Sequence, residues 1–162
     1  MKKVCLKIET LDDNVSLPFY AHSDDAGMDI RSNEEVLINP GETKVIKTGF
    51  KLSIPKGYEV QIRPRSGLSY NTPLIIPNSP GTIDSGYKDE IGVIIRNTSR
   101  EGKEIFSVSE KGYKEGIYKI SKGDRIAQMI LNKIETIEFE LASDIEKDKN
   151  NRGGGLGHSG VK

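Results

Sequence analysis

Short apolar runs with a period of two, separated by turn residues, constrain this 162-residue chain more than any other feature. Val4, Leu6 and Ile8 stand against Lys7 and Glu9, and Tyr58, Val60 and Ile62 against Glu59, Gln61 and Arg63. Ile91, Val93 and Ile95 share one face, and Ile137, Phe139 and Leu141 stand against Glu138 and Glu140. Successive side chains of a strand point to opposite faces, so each run predicts a strand with one face buried. The runs are punctuated by Asn39-Pro40-Gly41-Glu42, Ile54-Pro55-Lys56-Gly57, Pro77-Asn78-Ser79-Pro80-Gly81 and Ser121-Lys122-Gly123-Asp124, all turn chemistry. No long stretch carries a capped 3.6-residue period, although Ser66 to Tyr70 can form one helical turn. The expectation is an all-β sandwich or closed barrel with very little helix.

The length fits one domain that needs no disulfide or metal clip to hold a core. Lys plus Arg and Asp plus Glu are 24 each, so no net field draws the chain to nucleic acid or to a membrane surface. An anionic ligand must then be met by a local cluster. The single Cys5 forms no internal disulfide, and Met1-Lys2-Lys3-Val4 lacks the apolar core of a signal peptide. The apolar runs are far too short to span a membrane, and the expected location is the cytoplasm.

Three stretches stand out within this pattern. Gly81 to Val93 reads as a β-hairpin with Asp84 and Tyr87 at its bend, either a plain surface hairpin or one whose main chain holds a small planar ligand. Thr98 to Ile117, glycines and mixed Lys and Glu around Ile105-Phe106-Ser107-Val108, reads as a long hairpin or excursion, with a disordered loop as the alternative. The domain is expected over residues 1–143, and 144–162 form a C-terminal arm ending in Arg152-Gly153-Gly154-Gly155-Leu156-Gly157-His158-Ser159-Gly160. Five glycines in residues 153–160 cannot pack a core. They make either a flexible end or a nest of N–H groups for phosphate oxygens.

Ala26-Gly27-Met28-Asp29-Ile30, Pro64-Arg65-Ser66-Gly67-Leu68, the stretch Gly81 to Val93, Gly123-Asp124-Arg125-Ile126-Ala127-Gln128-Met129-Ile130 and the tail from Arg152 to Gly160 follow one another along the chain. In that order and spacing they resemble the trimeric, all-β dUTP nucleotidohydrolases, the dUTPase family. The resemblance implies a distorted β-barrel or jelly-roll-like subunit in a homotrimer with shared active sites. It implies Mg²⁺-assisted hydrolysis of dUTP to dUMP and pyrophosphate by water attack at the α-phosphorus. That reaction limits uracil incorporation into DNA and supplies dUMP for dTMP synthesis.

By the same resemblance Asp84 orients and activates the attacking water, a task suited to a carboxylate acceptor. Tyr87 packs on the deoxyribose and excludes a ribose 2′-hydroxyl. Main-chain groups of the hairpin, including Gly81, Thr82, Ile83, Gly92 and Val93, read uracil. Asp29 holds metal-bound water, and the metal itself is carried mainly by substrate phosphates. Arg65 and Ser66 grip phosphate oxygens, Gly67 lets the backbone approach them, and Gln128 lies near the α-phosphate. Arg152, Gly155, Gly157, His158 and Ser159 supply tail contacts. For Asp124 and Arg125 a turn role and direct ligand contact stand side by side.

The tail departs from the family pattern. Leu156 stands nearest the place where an aromatic usually stacks on uracil, and losing that stacking costs on the order of 1 kcal/mol. His158 stands where small hydroxyl residues are common, and an exposed tail residue is its other reading. The rival enzyme is a dCTP deaminase of the same fold, whose serine- and arginine-rich segment differs from Pro64-Arg65-Ser66-Gly67-Leu68. The rival of another class is a regulatory module that engages a protein partner through 98–117.

Overall fold

A computed structural model describes residues 3–145. In chain order it contains β1 (Lys7–Thr10), β2 (Met28–Arg31), β3 (Val36–Ile38), β4 (Thr43–Lys47), β5 (Phe50–Ser53) and β6 (Tyr58–Arg63). Then follow α1 (Ser66–Asn71), β7 (Leu74–Ile75), β8 (Gly81–Ile83), β9 (Gly92–Asn97), β10 (Ile105–Ser107), β11 (Ile117–Ile120) and β12 (Arg125–Lys133). Among the described residues the regular structure is thus nearly all strand, with one short helix where a single helical turn was expected. The strands form small sheets ordered β1-β5, β10-β11-β3, β2-β12-β6-β8 and β4-β9-β7, and no closed barrel is seen among the described residues.

The period of two identifies the buried faces. In β6, Val60 and Ile62 enter the core while Glu59, Gln61 and Arg63 stay half-buried on the other face. Ile91, Val93 and Ile95 are buried together as expected. With Ile30, Ile38, Ile46, Phe50, Ile120 and Ile126 they make one continuous core. The turn before β6 closes with Tyr58 N–H donating to Pro55 O at 3.2 Å, and Gly57 sits at φ 83°, a region that a side chain disfavours.

Three strand expectations differ from the structure, and that for 98–117 is narrowed to one of its alternatives. The limbs of 81–93 do not pair with each other: β8 pairs with β6, whereas β9 pairs with β4 and β7. Residues 84–91 between them are too long for a tight turn, and each limb completes a different sheet. The 98–117 segment is ordered, but β10 runs parallel to β11, so the segment is an excursion and not a hairpin. The first strand begins at Lys7, where it meets Ser53 of β5, and not at Val4. Residues 137–141 form no strand, and Ile137, Phe139 and Leu141 are 74%, 89% and 101% exposed. An alternating face records burial but not the partner that supplies it.

The base of the excursion hangs on Asn97. This wholly buried side chain donates from Nδ2 to Ile38 O at 3.0 Å and to Gly116 O at 2.7 Å, and its Oδ1 accepts Ser99 N–H at 3.0 Å. Asn97→Leu orphans these buried groups and should destabilise the chain by about 3 kcal/mol. The measurement is the urea midpoint; a stability within about 1 kcal/mol of wild type would refute the anchor. Further out, Glu110 is held below the usual carboxylate range, first by the Ser107 N–H and then by Lys114. Lys114 Nζ also lies 4.7 Å over the Phe106 ring, and the Phe106 and Tyr118 rings are 6.0 Å apart.

Candidate active site

The β2-β12-β6-β8 sheet brings distant parts of the sequence onto one face. Gln128 of β12 is in register with Asp29 of β2 on one side and with Arg63 of β6 on the other. Residues directly opposite across antiparallel strands share a face with their Cβ atoms about 5 Å apart. Arg65 follows β6 at the entry to α1, so the first, second and fourth sequence motifs converge. They line a cavity of about 490 Å³ with Ala21, Asp25, Ala26, Gly27, Arg63, Arg125 and Ile130.

Charge organises that cavity. Arg65 Nε donates to Asp29 Oδ1 at 2.7 Å and its Nη2 to Oδ2 at 3.4 Å, while Arg125 Nη1 donates to Oδ2 at 3.2 Å. Asp29 is therefore the hub of two guanidinium groups, fixed by charge-assisted bonds. Its side chain is only 16% exposed. Gln128 Nε2 donates to Pro64 O at 2.8 Å, which orients its amide. A Cβ at Gly27 would meet Gln128 Oε1 at 2.5 Å, so a side chain here would push the Gln128 amide aside. Ser66 and Gly67 are exposed at the start of α1, with open space where a Gly67 side chain would project.

The other sequence candidates lie elsewhere. Asp84 and Tyr87 sit on the exposed turn between β8 and β9, outside the cavity wall. Tyr87 N–H donates to Asp84 O at 3.1 Å and its hydroxyl to Glu90 O at 3.0 Å. Gly81 is buried, Thr82 is exposed, and Ile83 and Gly92 are half-buried. Val93 is wholly buried, in register with Ile46 of β4. Arg152, Gly155, Leu156, Gly157, His158 and Ser159 lie outside the described residues.

Two cavity residues escaped the sequence reading. Arg63 looked like the solvent side of a half-buried strand, yet that face is the cavity wall. Asp25 accepts the His22 N–H at 2.9 Å, closing a local turn that also aims it at the cavity. Of the two uncertain motif residues, Asp124 accepts the Ser121 N–H at 2.7 Å in a turn, while Arg125 reaches Asp29.

The family model described as dUTPase matches residues 13–160. The chain belongs to the dUTPase family. The deoxyuridine 5′-triphosphate nucleotidohydrolase of Thermoanaerobacter sp. (strain X514) is 40% identical over 165 residues, covering 98% of this chain and 99% of that protein. A structure of the Staphylococcus bacteriophage 80alpha dUTPase with dUPNHPP superposes with a TM-score of 0.83 at 35% identity, covering 98% of this chain and all (100%) of that one. A mutant dUTPase from phage phi11 of S. aureus, studied for its coordination of a structural Mg(II) ion, gives 0.79 at 34% identity and covers 88% of this chain and 99% of its own. The resemblance carried by the sequence motifs is thereby borne out over nearly the whole chain. Among the described residues no helix is long and apolar enough to cross a membrane.

Proposed function

We propose that this chain is a dUTP diphosphatase, hydrolysing dUTP to dUMP and pyrophosphate at sites shared between the subunits of a homotrimer. The observation that carries the reading is the convergence of Asp29, Arg65 and Gln128, from three separate family motifs, on one cationic cavity. Arg65 would release part of its hold on Asp29 to take phosphate oxygens, with Ser66 and the open main chain at Gly67 beside it. Gln128, already oriented by Pro64 O, would meet the α-phosphate. Asp84 would aim the water, Tyr87 would cover the deoxyribose, and the main chain around Gly81 and Gly92 would read the base.

Asp84 and Tyr87 lie outside the cavity, which favours their serving the site of a second subunit. The exposed Ile137, Phe139 and Leu141 supply an apolar stripe for such an assembly. Residues 144–162 would be an arm that closes the site with Arg152 and Ser159. We place no closed barrel in the single chain; a jelly-roll-like subunit is the reading these small sheets support.

Asp25 and Asp29 are the carboxylates on the cavity wall, and both Asp29 oxygens are already engaged by guanidinium groups. Among the described residues no group of three or more His, Cys, Asp or Glu could hold a metal ion by itself. This donor set fits a Mg²⁺ ion that arrives on the triphosphate and keeps most of its waters, which Asp29 and Asp25 would hold. When bound, Mg²⁺ supplies charge neutralisation of the phosphates.

The test is purified full-length protein with dUTP, dTTP, dCTP and UTP in parallel, with and without Mg²⁺. The expected result is dUMP and pyrophosphate from dUTP in the presence of Mg²⁺, with dCTP rejected more strongly than dTTP. Unpaired polar groups discriminate more than one crowded methyl. Ammonia release from dCTP would move the reading to a deaminase.

A second reading, additional to hydrolysis, is a protein partner at 98–117. It is favoured by Ile105 and Tyr113, each 56% exposed on an otherwise tightly bonded excursion. The phage 80alpha relative is described as controlling transfer of virulence genes by a proto-oncogenic G protein-like mechanism. Ile105→Glu with Tyr113→Ala should abolish capture of such a partner and leave dUTP turnover unchanged. A double variant that still captures the partner would remove the excursion from that role.

A further inference from the structure

The excursion builds a second cavity against the catalytic one. It has a volume of about 280 Å³ and is lined by Arg31, Arg65 and Arg125 together with Val108, Ser109 and Asp124. Arg65 and Arg125 stand between the two cavities; Arg31 and Ser109 belong to the second alone.

Arg31 is the unexplained residue. It stands directly opposite Arg125 in the β2-β12 register, and like charges facing each other across strands destabilise a sheet. Arg125 is neutralised by Asp29, but Arg31 makes no ion pair among the described residues. It is held in place all the same: its Nη1 donates to Gly123 O at 2.6 Å, and its guanidinium carbon lies 5.9 Å from the centre of the Phe19 ring. The one carboxylate on the cavity wall, Asp124, spends its Oδ2 on the Ser121 N–H at 2.7 Å. Three guanidinium groups therefore share the space with one diverted carboxylate, and most of the N–H donors of Arg31 remain to be used. Ser109 adds a hydroxyl, bonded at 2.7 Å to that of Ser107.

We propose that this cavity is a binding site for a small tetrahedral oxyanion, of the phosphate or pyrophosphate class, with Arg31 as its principal ligand. Guanidinium groups recognise phosphate oxygens by planar, charge-assisted pairs, and the anion relieves the Arg31–Arg125 opposition. Because Arg65 and Arg125 form the shared wall, occupancy here bears on the same Asp29 that the catalytic cavity uses. The inference goes beyond the proposed hydrolysis and does not depend on it.

The experiment uses the full-length protein and isothermal titration with inorganic phosphate and, in a parallel arm, pyrophosphate. Both arms are run with the imido analogue of dUTP already saturating the active site. Binding of the analogue is measured first, so failure of the catalytic reading shows before any anion is added. Wild type should still take up one anion per subunit. Arg31→Gln should weaken that binding about tenfold or more, leave dUTP turnover unchanged and lose the anion-dependent rise in melting temperature. Arg31→Lys, which keeps the charge, should retain part of the binding. Tighter pyrophosphate identifies the ligand as the released product, and tighter phosphate identifies free phosphate. No anion uptake with the analogue bound, or equal uptake by wild type and Arg31→Gln, overturns the site.

Discussion

Asp84→Asn lowers dUTP turnover by about 10²- to 10⁴-fold, the usual worth of a positioned acid or base, while the protein melts with the wild type. The structure separates this outcome from a folding defect. The Asp84 carboxylate is exposed and accepts no hydrogen bond among the described residues. The turn it occupies closes through its main-chain oxygen, which takes the Tyr87 N–H at 3.1 Å and survives the substitution. The Asp84 side chain therefore takes no part in closing its turn. Asparagine keeps the shape and a carbonyl acceptor, but it cannot take a proton from water. Steady-state turnover beside a thermal melt is the measurement, and near wild-type turnover would remove Asp84 from catalysis.

How far the sequence could be read depends on what a period of two encodes. It identified the core faces of β6 and β9, because apolar alternation is a direct record of burial. It could not say that Gly81–Ile83 and Gly92–Asn97 would join different sheets, since pairing is chosen by tertiary contacts. The stripe at Ile137, Phe139 and Leu141 carries the same signal as a core strand, but nothing among the described residues covers it. The site divides along the same line. Asp29, Arg65 and Gln128 were legible because their motifs hold them in fixed local settings. Arg63 and Arg31 were not, for a charged residue on the polar side of a strand looks alike in sequence whether it meets water or a cavity.

The last prediction tests whether each site is shared. Arg65→Ala should itself reduce turnover by roughly 10²-fold or more, since a preorganised cation facing the phosphates is lost. Asp29 keeps Arg125 as a partner in that variant, so its charge is not stranded. Each variant alone is nearly inactive. If Arg65 of one subunit works with Asp84 of another, co-expressing Asp84→Asn and Arg65→Ala chains creates hybrid trimers with intact sites. Such a site needs its Arg65 from an Asp84→Asn chain and its Asp84 from an Arg65→Ala chain. With random assembly at equal expression that holds for about one quarter of sites, so about one quarter of wild-type activity should return. A site complete within one chain recovers nothing, because every chain carries a defect. Adding Phe139→Glu to both chains should remove the recovered activity by charging the apolar face on which assembly is proposed to depend. No recovery on co-expression would rule out subunit sharing, whereas recovery tied to the trimer would explain why the cavity holding Asp29, Arg65 and Gln128 lacks Asp84.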